Sequence, residues 1–156
     1  MSPPRLVALD WGTSNLRASL LGDGGAVLEA RRDARGVMAV EGGAFEAVLR
    51  TLCDDWLAQG LPVIASGMVG SRQGWREAAY LPLPAGPAQA AAALTPAPFG
   101  TQVLHIVPGL AAEPRPGRFD VMRGEETQVW GTAPPPGWCV LPGTHSKWVH
   151  VDGAGR

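Results

Sequence analysis

Residues 6–21 read LVALDWGTSNLRASLL, two apolar runs separated by a polar interruption. Residues 6–9 and residues 16–21 are each typical of a buried strand. The six residues between the two runs are turn formers or carry hydrogen-bonding groups: Asp10, Trp11, Gly12, Thr13, Ser14 and Asn15. The stretch therefore predicts a β-hairpin whose tip is rich in polar groups.

The tip of this hairpin has the chemistry of a phosphate site. Backbone N–H groups around Gly12 can approach an anion closely, and the hydroxyls of Thr13 and Ser14 add donors. Asp10, at the strand end, suits a hydrated magnesium ion, which prefers oxygen ligands and keeps several waters. The alternative is a tight hairpin in which these side chains only satisfy backbone groups. The P-loop and dinucleotide glycine patterns are both missing, which argues against those two nucleotide sites.

The composition is that of a globular chain without a nucleic-acid or membrane partner. The 156 residues are 46% hydrophobic and 17% charged, with a net charge of -1. No basic stripe alternates with aromatic residues, the first apolar run is too short for a signal peptide, and no segment approaches a membrane span. Cys53 and Cys139 form no C-x-x-C pair, which argues against a zinc cluster or a disulfide scaffold. We therefore expect a cytoplasmic protein.

Hydrophobic periodicity predicts the other elements of an α/β domain. Further strands are predicted at residues 26–31, 61–67 and 101–109, with His105 in the core. Residues 44–57 carry apolar side chains at helical spacing and predict a packed helix. The Pro- and Ala-rich residues 81–100 predict a surface loop with one short helix around residues 88–94. This order of elements predicts a mixed sheet.

A second copy of the hairpin pattern begins near the end of the sequence. The proline-rich residues 132–137 predict a stiff connector, and Gly143-Thr144-His145-Ser146-Lys147 then lies between two apolar runs, as Gly12–Arg17 does. We predict a first lobe at residues 1–133, and a connector with the start of a second lobe at residues 134–156. The alternative is coincidence, because glycine with hydroxyl residues is a common turn composition.

Two further stretches carry chemistry. Residues 120–131, DVMRGEETQVWG, predict a helix that opens at Gly124 with Glu125 in its first turn, where the helix dipole favours an anion that can accept a proton from a hydroxyl. The alternative is a solvated cap. Residues 66–84, SGMVGSRQGWREAAYLPLP, predict a loop after a strand, and its arginines can grip the carboxylate of an acidic substrate. The alternative there is a structural loop anchored by its aromatic residues.

Four stretches in this order, residues 9–21, 66–84, 120–131 and 141–151, closely resemble the 2-dehydro-3-deoxygalactonokinase family of sugar-acid kinases. The resemblance implies an α/β fold, an actin-like ATPase (ribonuclease H-like) lobe with a mixed sheet and flanking helices, in the acetate and sugar kinase/Hsc70/actin superfamily. It also implies ATP- and Mg2+-dependent phosphorylation of 2-dehydro-3-deoxy-D-galactonate to its 6-phosphate.

The resemblance also implies roles for particular residues. The phosphate-binding turns would be formed by Gly12, Thr13, Ser14 and Asn15, and by Gly143, Thr144, Ser146 and Lys147. Asp10 would hold magnesium through water and assist catalysis. Glu125 would be the catalytic base, with Glu126 as its rival, although related sugar kinases place Asp there. Contacts to the substrate would come from Ser71, Arg72, Trp75 and Tyr80.

The resemblance leaves part of the kinase unaccounted for. The adenosine-binding motif of the family belongs to the second lobe, so we expect this chain to be an N-terminal portion with that lobe truncated. It would then bind ATP poorly unaided, and self-association or a missing C-terminal lobe would complete the site. The alternatives are a polyphosphatase of the same fold, a non-catalytic sugar-acid or nucleotide sensor, and another actin-fold sugar kinase such as a glucokinase-like enzyme.

Overall fold

The computed structural model describes residues 2–143 and 145–156. In chain order, the strands are β1 (Leu6–Trp11), β2 (Leu16–Leu21), β3 (Val27–Asp33), β4 (Val63–Ser66), β5 (Tyr80–Pro82), β6 (Thr95–Phe99), β7 (Gln102–Ile106), β8 (Gly109–Arg115), β9 (Arg118–Met122), β10 (Gly137–Leu141) and β11 (Lys147–Val151). The helices are α1 (Phe45–Leu57), α2 (Pro87–Ala92) and α3 (Glu125–Thr132). Among the described residues, no helix is long and apolar enough to cross a membrane.

The largest sheet has six strands in the order β3-β2-β1-β4-β7-β6. β1 is antiparallel to β2 and parallel to β4, and β4 is in turn parallel to β7. β5, β8 and β9 form a second sheet, and β10 pairs only with β11 in an antiparallel hairpin. The predicted mixed sheet is confirmed, and so is the hairpin predicted at the end of the sequence.

β1 lies inside the large sheet and alternates between its two faces. Val7, Leu9 and Trp11 are buried, whereas the residues between them are only partly covered. Successive side chains of a strand point to opposite faces, so burying these three residues turns Asp10 away from the core. The indole Nε1 of Trp11 donates a hydrogen bond of 3.1 Å to the carbonyl of Arg35. The buried, hydrogen-bonded side chain of Trp11 therefore fixes the position at which the hairpin turn begins.

The predicted helix at residues 44–57 is confirmed as α1. Its buried residues recur at helical spacing and include Val48, Leu49, Cys53 and Trp56. Burial raises the pKa of the Cys53 thiol to about 12, so this cysteine stays protonated and unreactive at neutral pH. The helix thus contributes packing to the large sheet, and its cysteine carries no chemistry.

The prediction of a single loop at residues 81–100 is partly wrong. The short helix is confirmed as α2, but β5 ends and β6 lies inside this segment. β6 is an edge strand that contains Pro96 and Pro98, both exposed, while Ala97 and Phe99 are buried. Proline cannot donate to a β-ladder and is tolerated at a sheet edge. The two prolines are therefore compatible with an edge strand and lie on its exposed face.

The prediction that His105 lies in the core is also wrong. His105 is exposed on β7, between the buried Leu104 and Ile106. The apolar run at residues 101–109 concealed this alternation, because it contains two strands: β7 ends at Ile106 and β8 begins at Gly109. A run that seemed buried on both faces is thus half exposed.

Candidate functional site

The candidate site lies at the end of β1, where the parallel strand β4 also ends. Asp10 is paired in register with Arg17 on β2 and with Ser66 on β4. Nη1 of Arg17 donates a hydrogen bond of 2.9 Å to Oδ2 of Asp10. Because parallel strands end at the same edge of a sheet, the segment after β4 lies beside the hairpin tip.

Two glycines bring a third segment to this edge. Gly67 has φ 93°, and a Cβ added there would lie 2.9 Å from the carbonyl oxygen of Trp11 and 3.6 Å from Oδ1 of Asp10. Gly124 has φ 111°, and a Cβ added there would lie 3.1 Å from Cα of Gly67. Such φ values favour glycine, and the close approach leaves no room for a side chain. The start of α3, with Glu125, is thereby held next to Asp10.

The hairpin tip is closed by its backbone alone. The N–H of Gly12 donates to the carbonyl of Asn15 over 2.9 Å. Nearby, the N–H groups of Val37 and Met38 donate to the carbonyls of Gly12 and Thr13. The side chains of Thr13, Ser14 and Asn15 are exposed, and in residues 2–143 and 145–156 no hydrogen bond uses them. The alternative interpretation of the hairpin required these side chains to form hydrogen bonds with the backbone, and among the described residues they form none.

The two adjacent glutamates at the start of α3 differ in exposure. Oε2 of Glu125 accepts a hydrogen bond of 3.0 Å from the N–H of Arg123, and the residue is half-buried. Glu126 is 1% exposed, and both of its carboxyl oxygens accept from the N–H of Gly124, at 2.8 and 2.7 Å. Burial raises the pKa of Glu126. Glu125 is therefore the more accessible carboxylate, while Glu126 fixes the helix start.

The four predicted substrate residues lie in the loop between β4 and β5 and at the start of β5, and their environments differ. Trp75 packs in an aromatic cluster with Trp11, Phe45 and Phe99, with ring centroids 5.7 to 6.2 Å apart. The side chain of Arg72 is 89% exposed and lies 4.0 Å from Glu77. Tyr80 is the first residue of β5, and its ring centroid lies 4.2 Å from Cζ of Arg123, whereas Ser71 follows Gly70 in the loop. Their roles toward a substrate stay predictions.

Sequence reasoning overlooked two residues of this site. Arg17, which pairs with Asp10, could have been found from the hairpin register, because it lies opposite Asp10 on the partner strand. Arg123 immediately precedes Gly124, and its Nη2 donates 2.8 Å to the carbonyl of Ala78. In the sequence, Arg123 carries no signal of burial apart from its place between Met122 and Gly124.

The second predicted phosphate turn is only partly described. Thr144 lies outside the described residues, and Gly143 and Ser146 are exposed. Lys147 is held against β9, where its Nζ donates 2.7 Å to the carbonyl of Val121 and lies 3.4 Å from Oδ1 of Asp120. In the described part of the chain, no hydrogen bond joins this turn to the hairpin tip. That the two turns face one another stays a prediction.

Glu126 also lines a cavity of about 260 Å³. Its walls are mostly apolar and come from α3, β9 and the β10–β11 hairpin, including Trp130, Trp138 and Trp148. Lys147 also lines this cavity. Residues of both the β10–β11 hairpin and α3 line this cavity, and among the described residues neither Asp10 nor Glu125 does.

The residues around Asp10 fit a hydrated magnesium ion. One oxygen of Asp10 accepts from Arg17, and in the described structure Oδ1 accepts no hydrogen bond. No group of three His, Cys, Asp or Glu residues forms a metal cage within the described residues. Magnesium needs none, because it commonly uses one or two carboxylates together with phosphate oxygens and water.

Comparison with known proteins places these features in one family. Residues 10–155 match the sequence profile described as 2-keto-3-deoxy-galactonokinase. The chain is 43% identical over 153 residues to "Probable 2-dehydro-3-deoxygalactonokinase DgoK1" of Rhizobium meliloti (strain 1021), covering 92% of this chain and 48% of the relative. It is 41% identical over 150 residues to the 2-dehydro-3-deoxygalactonokinase of Escherichia coli (strain K12), covering 95% and 50%. The chain thus spans about half the length of the curated relatives it matches.

A solved structure agrees with the fold. The crystal structure assigned as a 2-dehydro-3-deoxygalactonokinase from Sinorhizobium meliloti superimposes with a TM-score of 0.79 at 42% identity. The match covers 94% of this chain and 49% of that chain. Together with the mixed sheet, this similarity confirms the predicted fold class, an α/β lobe of the actin-like type.

Proposed function

The chain belongs to the 2-dehydro-3-deoxygalactonokinase family, and we propose that it supplies the sugar-acid site and one phosphate-binding turn of an ATP-dependent kinase. The reaction would transfer the γ-phosphoryl group of ATP to the 6-hydroxyl of 2-dehydro-3-deoxy-D-galactonate. The observation that carries the proposal is the contact of Gly67 with Gly124, because it holds Glu125 and Asp10 at one edge beside the hairpin tip.

Glu125 is the base in this proposal. Its carboxylate is oriented by the N–H of Arg123, and it lies in the first turn of α3 at the edge that holds Asp10. One carboxylate oxygen would accept the proton of the 6-hydroxyl as that oxygen attacks the phosphoryl group. Glu126 is less suited, because it is closed to solvent and both of its oxygens are engaged.

The hairpin tip would position the phosphates. The N–H of Gly12 is already used within the turn, so the donors would be the exposed hydroxyls of Thr13 and Ser14 and the amide of Asn15. Asp10 would hold magnesium through water, and the ion would neutralise charge on the phosphates. Catalysis would then consist mainly of positioning and charge stabilisation.

We extend the proposal to the organisation of the protein. Residues 1–133 would form one lobe, and residues 134–156 the connector and the start of a second, with Gly143, Thr144, Ser146 and Lys147 on the other side of the phosphates. The adenosine contacts would come from a part of the relatives that this chain does not span, supplied by another segment or by self-association. A cytoplasmic location is part of the proposal, because ATP is the phosphoryl donor.

A coupled ADP-release assay tests the activity. The purified chain, shown to be folded by circular dichroism, is supplied with 2-dehydro-3-deoxygalactonate, ATP and Mg2+. If self-association completes the nucleotide site, we expect ADP release that depends on the sugar acid. This release should fall by about 100-fold or more in Glu125→Gln, since general-base catalysis contributes that much. Glu126→Gln is the matched control and should retain more activity than Glu125→Gln.

The assay also separates the alternatives. ADP release that responds equally to glucose would indicate a neutral-sugar kinase, and hydrolysis of polyphosphate without sugar would indicate a phosphatase. Saturable binding of the sugar acid by a folded chain that never releases ADP would reject kinase activity for this chain and favour a sensor.

A further inference from the structure

Arg123 is a buried cation that, among the described residues, has no carboxylate partner. It is 8% exposed, and its Nη2 donates to the carbonyl of Ala78 over 2.8 Å. Its Nε and Nη1 atoms are closed to solvent and have no hydrogen-bond partner. A buried charge without a counter-charge is costly, and each unsatisfied donor adds to that cost. A negatively charged ligand that accepts hydrogen bonds from Nε or Nη1 would offset this cost.

The surroundings of the guanidinium contain a second unpaired group. A Cβ added to Gly70 would lie 3.0 Å from Nη1 of Arg123, so this nitrogen points at the backbone beside Ser71. Oγ of Ser71 is likewise closed to solvent and without a partner. The ring of Tyr80 lies 4.2 Å from Cζ of Arg123, a cation–π contact that offsets only part of the cost of burial. A guanidinium and a hydroxyl thus flank Gly70 with unused hydrogen-bonding capacity.

The guanidinium and the proposed base are linked through the backbone of one residue. The N–H of Arg123 donates to the carboxylate of Glu125, so the guanidinium lies no further from that carboxylate than one hydrogen bond and one arginine side chain. In a six-carbon sugar acid, five carbon–carbon bonds separate the carboxylate carbon from C6, a span of roughly 6 Å when extended. Six bonds join the backbone nitrogen of an arginine to Cζ, so the two spans are comparable.

We propose that Arg123, assisted by Ser71, binds the carboxylate of the sugar acid while Glu125 faces its 6-hydroxyl. The inference rests on the proposed function and makes Arg123 the residue that distinguishes an acidic sugar from a neutral one. Arg72, the arginine favoured by the sequence, is exposed and has Glu77 beside it, so its charge is already screened. Because the atoms of Arg123 and Ser71 are covered here, the exposed side chains of Arg72, Gln73, Arg76 and Glu77 would shift to admit the ligand.

Binding measured without ATP tests this inference. The probes are 2-dehydro-3-deoxygalactonate and its neutral C1 amide, titrated calorimetrically into the wild-type chain, Arg123→Gln, Arg123→Lys and Ser71→Ala. Arg72→Gln tests the rival arginine, and Arg118→Gln, at an exposed position of β9, is the control. We expect the wild type to bind the acid at least about tenfold more tightly than the amide, because hydrogen bonds to charged groups are the stronger ones. Arg123→Gln should lose this preference, and Ser71→Ala should weaken acid binding several-fold. Arg72→Gln should keep the preference for the acid, and Arg118→Gln should keep both the preference and the affinity.

A second readout does not depend on the stability of the arginine variants. In ¹H–¹⁵N spectra of the wild type, the Nε–H signal of Arg123, assigned by its loss in Arg123→Lys or by through-bond correlation, should shift on adding the acid and not the amide. If Arg123→Gln fails to fold, this signal and Ser71→Ala decide the question.

The outcomes separate this inference from the kinase proposal. A folded Arg123→Gln that keeps the preference for the acid, an Arg72→Gln that loses it, or a wild type that binds acid and amide alike overturns the role of Arg123, whatever the ADP assay shows. A wild type that binds neither probe also overturns it. Acid binding through Arg123 without ATP turnover supports the inference and rejects kinase activity for this chain.

Discussion

Gly67 and Gly124 contact each other backbone to backbone: a Cβ on Gly124 would lie 3.1 Å from Cα of Gly67. The two residues are 57 positions apart in the sequence, and each adopts a positive φ. Gly67 also touches the carbonyl of Trp11, so the ends of β1, β4 and β9 meet at one point. The proximity of the two carboxylates in the proposed mechanism, those of Asp10 and Glu125, depends on this contact.

Replacing Gly67 with alanine should therefore damage both stability and the site. The added Cβ would lie 2.9 Å from the carbonyl oxygen of Trp11, on a backbone with φ 93°. We expect the free energy of unfolding in urea to fall by about 1–3 kcal/mol. Gly131→Ala is the control, since a Cβ there meets nothing within 4 Å. It should gain about 0.5–1 kcal/mol from its place inside α3. A Gly67→Ala chain as stable as the wild type would contradict the contact.

Glu126 should make stability depend on pH. Because burial raises its folded pKa above 4.5, the unfolded chain loses this proton at a lower pH than the folded chain does. The carboxyl therefore contributes fully below about pH 4.5, and this contribution is lost as pH rises towards the folded pKa. In urea unfolding, we expect the stability of Glu126→Gln relative to wild type to increase as the pH rises above about 4.5. A difference between Glu126→Gln and wild type that does not change with pH would refute the assignment.

Asp10 and Arg17 should have opposite effects on the requirement for magnesium. The guanidinium of Arg17 competes for the carboxylate on which the ion would bind. In the ADP-release assay, Asp10→Asn should raise the half-saturating Mg2+ concentration about fivefold or more, because a unit charge near 4 Å is worth about 1 kcal/mol even in water. Arg17→Gln should lower that concentration. Equal Mg2+ dependence in all three proteins would remove Asp10 from the metal site.

The β10–β11 hairpin should promote association of the chain. Trp138 and Trp148 are each 69% exposed, and cross-strand pairing puts Val140 opposite Trp148 on the same hairpin. Exposed apolar patches of this kind mark interaction surfaces or aggregation sites. Sedimentation should show concentration-dependent association that a Trp138→Ser/Trp148→Ser double variant reduces. Met38→Gln, which removes an exposed apolar side chain elsewhere, should leave the association unchanged.

Local periodicity was sufficient to predict the parts of the fold that depend on neighbouring residues. The hairpin of β1 and β2 alternates with period two, and α1 repeats its apolar residues at helical spacing, so both followed from the sequence. Strand β6 could not be predicted because it contains Pro96 and Pro98, which are acceptable in a strand only at the edge of a sheet, where β6 lies. That position is set by partners distant in sequence.

The site was harder to predict because burial decides the role of each residue type. The resemblance predicts Trp75 as a substrate contact, and its ring packs with Trp11 and Phe45. The sequence does not distinguish these two uses of a tryptophan, so the substrate role of Trp75 stays a prediction. Arg123 was overlooked for the converse reason. An arginine beside a glycine is typical of a surface, and only its contacts with Ala78 and Tyr80 show that it is buried.

The alternation of β1 has a consequence for how faulty molecules behave. A slip of one residue against β4 would expose Trp11 and drive the carboxylate of Asp10 into the apolar interior. The slipped chain would lose its largest anchor and bury a charge, so it would not persist as a stable fold. The register that buries Trp11 is therefore also the register that exposes the carboxylate of Asp10, so correct assembly of the core and presentation of this carboxylate are a single event.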